Sequence, residues 1–218
     1  MKAVKEIVTI YNKPNATKVG YPIVNNGVAS GFSAIDYFVM PSAFTFNNSF
    51  EMVWKVNTGN FNDRSILTGN YGNSYQNVFQ IGIRTSLNFG LLASSNGSTT
   101  SFLDVTGTYA VLTNTDYWIR AGWTGTVYYL DYSLDGINYT RDITVNSTTK
   151  MYQSPNPFLI GYNAYDSSST EIWVGSVDFS ESYIKTDDSI WWQGVTEATE
   201  PVFKLVKNAS SYYAIESI

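Results

Sequence analysis

The stretch from Tyr117 to Val145, YWIRAGWTGTVYYLDYSLDGINYTRDITV, constrains the fold of this chain more than any other part of it. Apolar and polar residues alternate along it, and a period of two is the pattern of a β-strand with one buried face. Two dipeptides, Thr124-Gly125 and Asp135-Gly136, interrupt the alternation and place glycine where a tight hairpin needs a positive φ. The stretch therefore predicts three antiparallel strands joined by two two-residue turns.

Two-residue turns fix the pairing of the strands, and the pairing sorts the side chains onto two faces. One face is apolar and aromatic apart from Arg141, which predicts a wall of the core. Its predicted facing pairs are Trp123–Thr126, Ala121–Tyr128, Ile119–Leu130, Tyr117–Tyr132, Leu134–Ile137, Tyr132–Tyr139 and Tyr128–Ile143. The second face is polar but holds two large rings, and it carries Trp118, Arg120, Tyr129, Asp131, Ser133, Asn138, Thr140 and Asp142.

The rest of the chain also favours short strands. Between Ser49 and Val56 the residues alternate cleanly, with the even-numbered apolar residues on one side and Glu51, Val53 and Lys55 on the other. No segment has helical periodicity beyond two turns, so the chain is predicted to be an all-β, two-sheet antiparallel β-sandwich. We expect an N-terminal strand and linker over residues 1–26, the sandwich over 27–195 and a C-terminal hairpin or tail over 196–218.

The amino-acid composition argues against several classes of function. The chain carries a net charge of −5 without a basic stripe, which argues against nucleic-acid binding. It has no cysteine, so disulfides are excluded, and its lack of histidine excludes a Ser-His-Asp triad. No apolar run approaches the roughly 20 residues of a membrane span, and the apolar stretch at the N-terminus is too short for a signal peptide, so no membrane insertion is expected.

Five segments resemble a known superfamily. The segment Tyr117-Trp118-Ile119-Arg120, followed by a strand that ends at Leu134-Asp135-Gly136, is similar to the "W-h-x-h…DG" segment of concanavalin A-like, laminin-G-like sandwiches. Phe158-Leu159-Ile160-Gly161 and the later WVGSVDF segment (173–179) resemble the closing strands of that fold. The segments GVASGFSAIDYFVMPSAF (27–44) and Ser182 to Trp192 resemble such domains in bacteriophage tail and fibre proteins.

The resemblance covers roughly residues 27–193, and it implies a concanavalin A-like jelly-roll on a virion surface. A non-enzymatic receptor-binding module that contacts host-surface carbohydrate is the first function it implies. The partners would then be that glycan, other virion proteins and, through a homo-oligomer, further copies of the chain. Two alternatives remain open, a purely structural or decoration protein and an atypical glycan hydrolase, because folds of this type host several functions.

Carbohydrate binding needs an aromatic ring against the apolar face of a sugar and polar groups for its hydroxyls. The polar face of the central strands offers both, at Trp118, Arg120, Tyr129, Asp131 and Asp142, and loop tyrosines at the rim offer a second set, Tyr71, Tyr75 and Tyr165. The competing interpretation has Trp118 buried, Arg120 and Asp142 as a surface ion pair, or the whole face packed on another subunit. Trp191 and Trp192 are further candidates for packing or oligomer contacts.

Catalysis and metal binding find less support in the sequence. Retaining glycosidases place two carboxyl groups about 5–5.5 Å apart, and the E-x-D-x-x-E strand of glucanases with this fold is absent. No cofactor is expected. The resemblance leaves room for one structural calcium ion at the rim, with Asp104, Asp166 and Asp178 as nominal ligands, although an ordinary solvated or turn-capping role fits these aspartates better.

Overall fold

The computed structural model describes residues 16–72, 76–97, 102–166, 169–187, 189–194, 203–207 and 213–217. Within these ranges only the backbone is described at 41–42, 70–72, 76–77, 163–166, 169–171, 203–207 and 213–217. The described residues form strands and turns without a helix, and accordingly they include no helix able to cross a membrane. Residues 1–15 of the expected N-terminal strand and linker lie outside the described residues.

In chain order the strands are β1 Thr17–Val19, β2 Ile23–Asn25, β3 Val28–Ser30, β4 Tyr37–Ala43, β5 Phe50–Asn57, β6 Ser65–Gly72, β7 Gln76–Ile83, β8 Asn88–Ala93, β9 Leu103–Ala110, β10 Asp116–Trp123, β11 Val127–Ser133, β12 Thr140–Asn146, β13 Pro157–Ile160, β14 Tyr162–Asp166, β15 Ser169–Ile172, β16 Ser176–Thr186, β17 Ser189–Gln193, β18 Phe203–Lys207 and β19 Tyr213–Ser217.

Most of the described strands lie in two antiparallel sheets, which confirms the predicted all-β, two-sheet antiparallel β-sandwich. The seven-stranded sheet has the order β1-β4-β13-β6-β7-β8-β9. The eight-stranded sheet has the order β12-β11-β10-β5-β16-β3-β2, with β17 paired to β16. Two further strand pairs, β14–β15 and β18–β19, form separate two-stranded sheets, and the second pair lies within residues 196–218, for which a C-terminal hairpin or tail was expected.

The core lies between the two sheets and is dominated by aromatic rings. Trp54, Tyr117 and Phe89 are buried, and the Phe89 and Tyr117 rings meet edge to face with their centres 5.4 Å apart. Trp192 packs against Trp54, so the second of the paired tryptophans is a core residue of this chain. Full burial of each such ring contributes roughly 1.5–3 kcal/mol to the free energy of unfolding, which makes the core the main stabilising element.

The first turn of the central strands lies one residue further along the chain than predicted. Trp123 pairs with Tyr128 and Ala121 with Leu130, so each residue of β10 faces a partner two positions further along than predicted. The loop is Gly125-Thr126, and Gly125 has a φ of 94°, as the first position of a tight hairpin requires. A shift of two residues preserves the face of every side chain, and therefore Ile119 and Leu130 point into the core as predicted.

The second turn is not a two-residue hairpin. Residues 134–139 form a longer loop because the Asp135 carboxylate accepts hydrogen bonds from the backbone N–H groups of Ile137 and Asn138, at 2.9 and 2.8 Å. The predicted core positions Leu134 and Ile137 are exposed as a result. The loop also changes the register of β12, so the predicted Tyr128–Ile143 pair is replaced by Leu130–Ile143.

A β-bulge in β12 then exchanges the places of two charged residues. The register with β11 shifts between Leu130 and Asp131, which places Arg141 opposite Asp131. Arg141 therefore projects from the polar face, where the sequence placed Asp142. A bulge inserts one unpaired residue and re-aims the side chains beside it, and it is the physical reason for both corrections.

Candidate functional site

The outer face of the eight-stranded sheet, which points away from the seven-stranded sheet, carries charged and aromatic side chains in three rows. Direct pairing across β11, β10, β5 and β16 defines the rows, because paired residues project to the same side of a sheet. The rows are Tyr129–Gly122–Glu51–Lys185, Asp131–Arg120–Val53–Tyr183 and Ser133–Trp118–Lys55–Asp178.

Asp131 lies at the centre of an arginine pair on this face. Arg120 donates to its Oδ2 atom from Nε at 3.0 Å and from Nη2 at 2.7 Å. Arg141 donates from Nε to the other carboxylate oxygen. Only 2% of the Asp131 side chain is exposed, so the two guanidinium groups, rather than water, neutralise its charge.

Both arginines also cover aromatic rings. The Arg141 guanidinium lies 4.5 Å from the centre of the Tyr129 ring, and Arg120 lies 4.2 Å from the centre of the Tyr139 ring. These are cation–π contacts, and they cover a ring face that a sugar would need. Tyr129 is 7% exposed, and this geometry does not present it as an open platform.

Trp118 is half-buried at the opposite end of the outer face. Its Nε1 group donates to Glu181 at 3.0 Å, and Lys55 Nζ lies 4.9 Å from the centre of its ring. Lys55 also contacts Glu181 at 2.6 Å and Asp178 at 3.4 Å. The hydrogen bond that Lys55 donates to Glu181 outweighs partial burial and raises the pKa of Lys55. The cluster is internally paired, and the third row has no charged group without a partner.

Asp142 is separated from the other predicted site residues. Its carboxylate accepts hydrogen bonds from the backbone N–H groups of Thr108 and Tyr109 in β9, at 2.8 and 3.0 Å. It therefore joins the edges of the two sheets, and the predicted Arg120–Asp142 ion pair is wrong because Arg120 pairs with Asp131. The structure thus brings together Arg120, Tyr129 and Asp131, and it leaves Trp118 at a separate end of the face.

The predicted rim tyrosines are not described at the level of side chains. Tyr75 lies outside the described residues, and for Tyr71 and Tyr165 only the backbone is described, in β6 and β14. Their assignment as ligand-binding residues stays a prediction.

A cleft of about 340 Å³ opens where the first row meets the turns at the end of the sheet. Its walls combine buried aromatic rings with acidic, basic and hydroxyl groups. It is lined by Ser49, Phe50, Glu51, Trp123, Thr124, Tyr129, Lys185 and Asp187. Concave sites with aromatic walls and a few fixed polar groups are typical of small-ligand binding.

Two tyrosine hydroxyls fix the carboxylate of Glu51 in the cleft. Tyr129 donates its hydroxyl proton to Oε2 at 3.0 Å, and Tyr183 donates to Oε1 at 3.2 Å. Lys185 Nζ lies 3.9 Å from Oε1. Burial and the nearby Glu51 carboxylate raise the pKa of Tyr183 to about 12, and burial likewise raises that of Tyr129. Both phenols therefore stay protonated and hold the carboxylate in one orientation.

Asp187 closes the rim of the cleft. It has a positive φ of 47°, and its carboxylate accepts the backbone N–H groups of Asn48 at 2.6 Å, Asn47 at 2.7 Å and Ser49 at 3.0 Å. These hydrogen bonds, the one from Asn48 first, lower the pKa of Asp187. Asp187 thus anchors the loop before β5 and keeps its negative charge at the edge of the cleft.

Sequence reasoning identified one cleft residue, Tyr129, and missed the charged ones. The alternation in β5 does place Glu51 on the outer side, a signal that could have been used. Lys185 and Asp187 belong to β16 and the turn after it, and β16 lies beside β5 only through a long-range pairing. The local sequence around Lys185 contains no pattern that predicts Glu51 as its neighbour.

Two of the nominal calcium ligands are engaged with cations of the protein. Asp104 pairs with Arg84 at 2.5 Å, and Asp178 lies beside Lys55. For Asp166 only the backbone is described. Within the part of the chain that the structure describes, no group of three or more aspartate, glutamate, histidine or cysteine side chains is arranged to hold a metal ion.

Comparison with known proteins identifies similar folds and no close relative. No protein-family model matches the chain. A search of curated proteins gives no match either. A bacteriophage CBA120 structure, the enzymatically active domain of tailspike protein 2, is similar with a TM-score of 0.57 and 10% identity, over 85% of this chain and 33% of that one. This chain thus spans about a third of the phage chain.

Two bacterial structures are similar as well. Domain 4 of AbnA, a GH43 extracellular arabinanase from Geobacillus stearothermophilus in complex with arabinotriose, has a TM-score of 0.54 and 12% identity, over 75% of this chain and 79% of that one. A putative carbohydrate binding protein from Bacteroides ovatus has a TM-score of 0.51 and 16% identity, over 94% of this chain and 60% of that one. At these identities the similarity shows the β-sandwich fold.

Proposed function

We propose that this protein is a non-enzymatic carbohydrate-binding module whose ligand enters the cleft beside Glu51. The observation that carries the proposal is the fixed carboxylate of Glu51 in an aromatic-walled cleft, with the Lys185 ammonium beside it. A carboxylate accepts hydrogen bonds from sugar hydroxyls, and an ammonium donates to hydroxyl oxygens. The rings of Phe50, Trp123 and Tyr129 at the lining are at most 7% exposed, and they supply a narrow apolar contact.

The cleft requires little rearrangement of Glu51. Two tyrosine hydroxyls already orient its carboxylate, so a ligand does not have to restrict that side chain further. A group that is ordered before binding lowers the entropic cost of association. This preorganisation favours a site of recognition over an ordinary solvated surface glutamate.

The similar solved structures also support carbohydrate as the class of ligand. One similar structure holds arabinotriose and another is a putative carbohydrate binding protein. The third belongs to a phage tailspike, which agrees with the resemblance of residues 27–44 and 182–192 to phage tail and fibre proteins. We extend the proposal accordingly to an adhesion module on the surface of a virion. It would contact host-surface glycan and assemble with other virion proteins or with further copies of itself.

Binding without hydrolysis fits the acidic groups of the cleft. Paired-carboxylate hydrolysis needs one carboxyl group to transfer a proton and a second to attack the sugar or activate water. Asp187 uses both carboxylate oxygens to hold the loop before β5, and Glu51 receives a tyrosine proton donor on each oxygen. These contacts suit a recognition role better than a catalytic one.

A glycan array with matched lysine variants tests the proposal. Lys185→Met removes the ammonium from the cleft, whereas Lys55→Met makes the same change on the same face, away from the cleft lining. We expect the Lys185 variant to bind its best glycan roughly 10-fold more weakly or worse, a loss that corresponds to about one charge-assisted hydrogen bond. The Lys55 variant should keep the affinity of the unmodified protein.

Three outcomes contradict parts of the proposal. Absence of binding to every glycan by the assembled protein would support a purely structural role. Equal losses in the two lysine variants would place the site elsewhere on the outer face. Release of reducing sugar from a bound polysaccharide would show that the module is a hydrolase.

A further inference from the structure

Every cation on the outer face contacts at least one carboxylate of the same face. Arg120 and Arg141 share Asp131, and Lys55 lies between Asp178 and Glu181. Lys185, which has 41% of its side chain exposed, is 3.9 Å from Glu51. Each cation on this face therefore already faces a carboxylate of the same chain, and an arriving anion would have to compete with it.

The cleft itself has an excess of negative charge. Glu51 and Asp187 line it together with Lys185, so its lining carries two carboxylates and one ammonium. Lys150 lies over the Phe46 ring at 4.8 Å and adds to the stabilisation of the ionised Asp187, but it is not among the lining residues. An acidic group brought into the cleft would consequently meet two carboxylates at the lining, where the one ammonium already lies beside Glu51.

We infer that the cleft selects neutral sugar units and rejects units that carry a carboxylate, an inference that rests on the proposed carbohydrate binding. Each Glu51 oxygen accepts one tyrosine proton and keeps further lone-pair capacity for ligand hydroxyl donors. Lys185 can donate to a hydroxyl oxygen without leaving Glu51. A hydroxymethyl group satisfies this arrangement, whereas a carboxylate in its place offers no proton to Glu51 and adds a like charge.

Oxidation of one sugar position gives the sharpest test. The probes are the neutral oligosaccharide with the strongest array signal and the same oligosaccharide after its C6 hydroxymethyl groups are oxidised to carboxylates. Calorimetry should show the oxidised probe to bind about 10-fold more weakly or worse at low ionic strength, the range expected for one unfavourable charge contact. The difference should shrink in about 1 M salt, where the screening length falls to about 3 Å.

A pair of variants identifies the source of this discrimination. Glu51→Gln removes one negative charge from the cleft and should reduce the affinity ratio of the two probes at least about threefold, even if both affinities fall. Asp104→Asn removes the same charge from β9 in the other sheet and should leave the ratio unchanged.

The result separates this inference from the proposed function. Equal or tighter binding of the oxidised probe, or a ratio that Glu51→Gln does not alter, overturns the inference and leaves carbohydrate binding standing. Absence of binding to every probe and every array glycan overturns both.

Discussion

Tyr129 donates its hydroxyl proton to Glu51 at 3.0 Å by passing over Gly122, a residue that has no side chain. Gly122 stands between the two in the first row of the outer face, and a Cβ at this position would lie 2.9 Å from the Tyr129 hydroxyl oxygen. The absence of one methyl group thus opens the space through which two side chains on separate strands meet.

Removal of the Tyr129 hydroxyl should affect binding and stability together. Tyr129→Phe keeps the buried ring but deletes a hydrogen bond to a charged group, a loss typically worth about 1.5–3 kcal/mol in the free energy of unfolding. Urea unfolding measures this change, and titration with the best array glycan measures the loss of affinity. Tyr21→Phe is the control, because Tyr21 is 90% exposed and its change should alter neither quantity.

The buried aspartate of the second row should matter far more than a surface aspartate. Asp131→Asn leaves Arg120 and Arg141, which are 32% and 46% exposed, beside a neutral group, and the loss of charge-assisted hydrogen bonds should cost about 1.5–3 kcal/mol in the free energy of unfolding. Asp104→Asn breaks the pair with Arg84 at a carboxylate that is 56% exposed, for which we expect about 1 kcal/mol or less. Chemical denaturation of both variants checks the contrast, and similar losses would contradict it.

The joint between the two sheet edges depends on a glycine. A Cβ at Gly107 would lie 1.8 Å from the Asp142 carboxylate, so Gly107→Ala should displace Asp142 from the backbone N–H groups of β9. We expect a loss of about 1–3 kcal/mol in the free energy of unfolding, as for other overpacked sites. In an Asp142→Ala background the same change should cost clearly less, and a double-mutant cycle measures the coupling. Additive losses would show that the two residues do not interact.

The loop at residues 134–139 should contribute to acid sensitivity. Hydrogen bonds from Asn138 and Ile137 lower the pKa of Asp135 below its ordinary value of 3.8. A carboxyl group with a lowered pKa stabilises the folded state above its ordinary pKa, and this contribution is lost as the pH falls through the folded value. Asp135→Asn keeps an acceptor oxygen but does not titrate. Its deficit in melting temperature should therefore be largest at pH 5–7 and shrink below about pH 4; a deficit that is independent of pH would contradict this assignment.

The sequence predicted which side of β10 and of β11 faces the core, and the physical reason is the period of two. The pairing across the first turn differs from the prediction by two residues, yet Ile119 and Leu130 keep their buried face. In β5, the outward positions of Glu51 and Lys55 were predicted from alternation alone. Face assignment is therefore robust to an error in turn length as long as the shift is even.

Tertiary structure alone decided what the outer face can do. The bulge that exchanges Arg141 and Asp142 lies where β12 contacts β9 of the other sheet. That contact joins Asp142 to backbone N–H groups more than 30 residues earlier in the chain. Glu51 and Lys185 become neighbours only because β5 and β16 pair. Local alternation determines the face of the sheet from which a side chain projects, but the order of strands in the sheet determines which side chains lie next to it. The cleft therefore depends on the whole sandwich, while the two faces follow from the sequence.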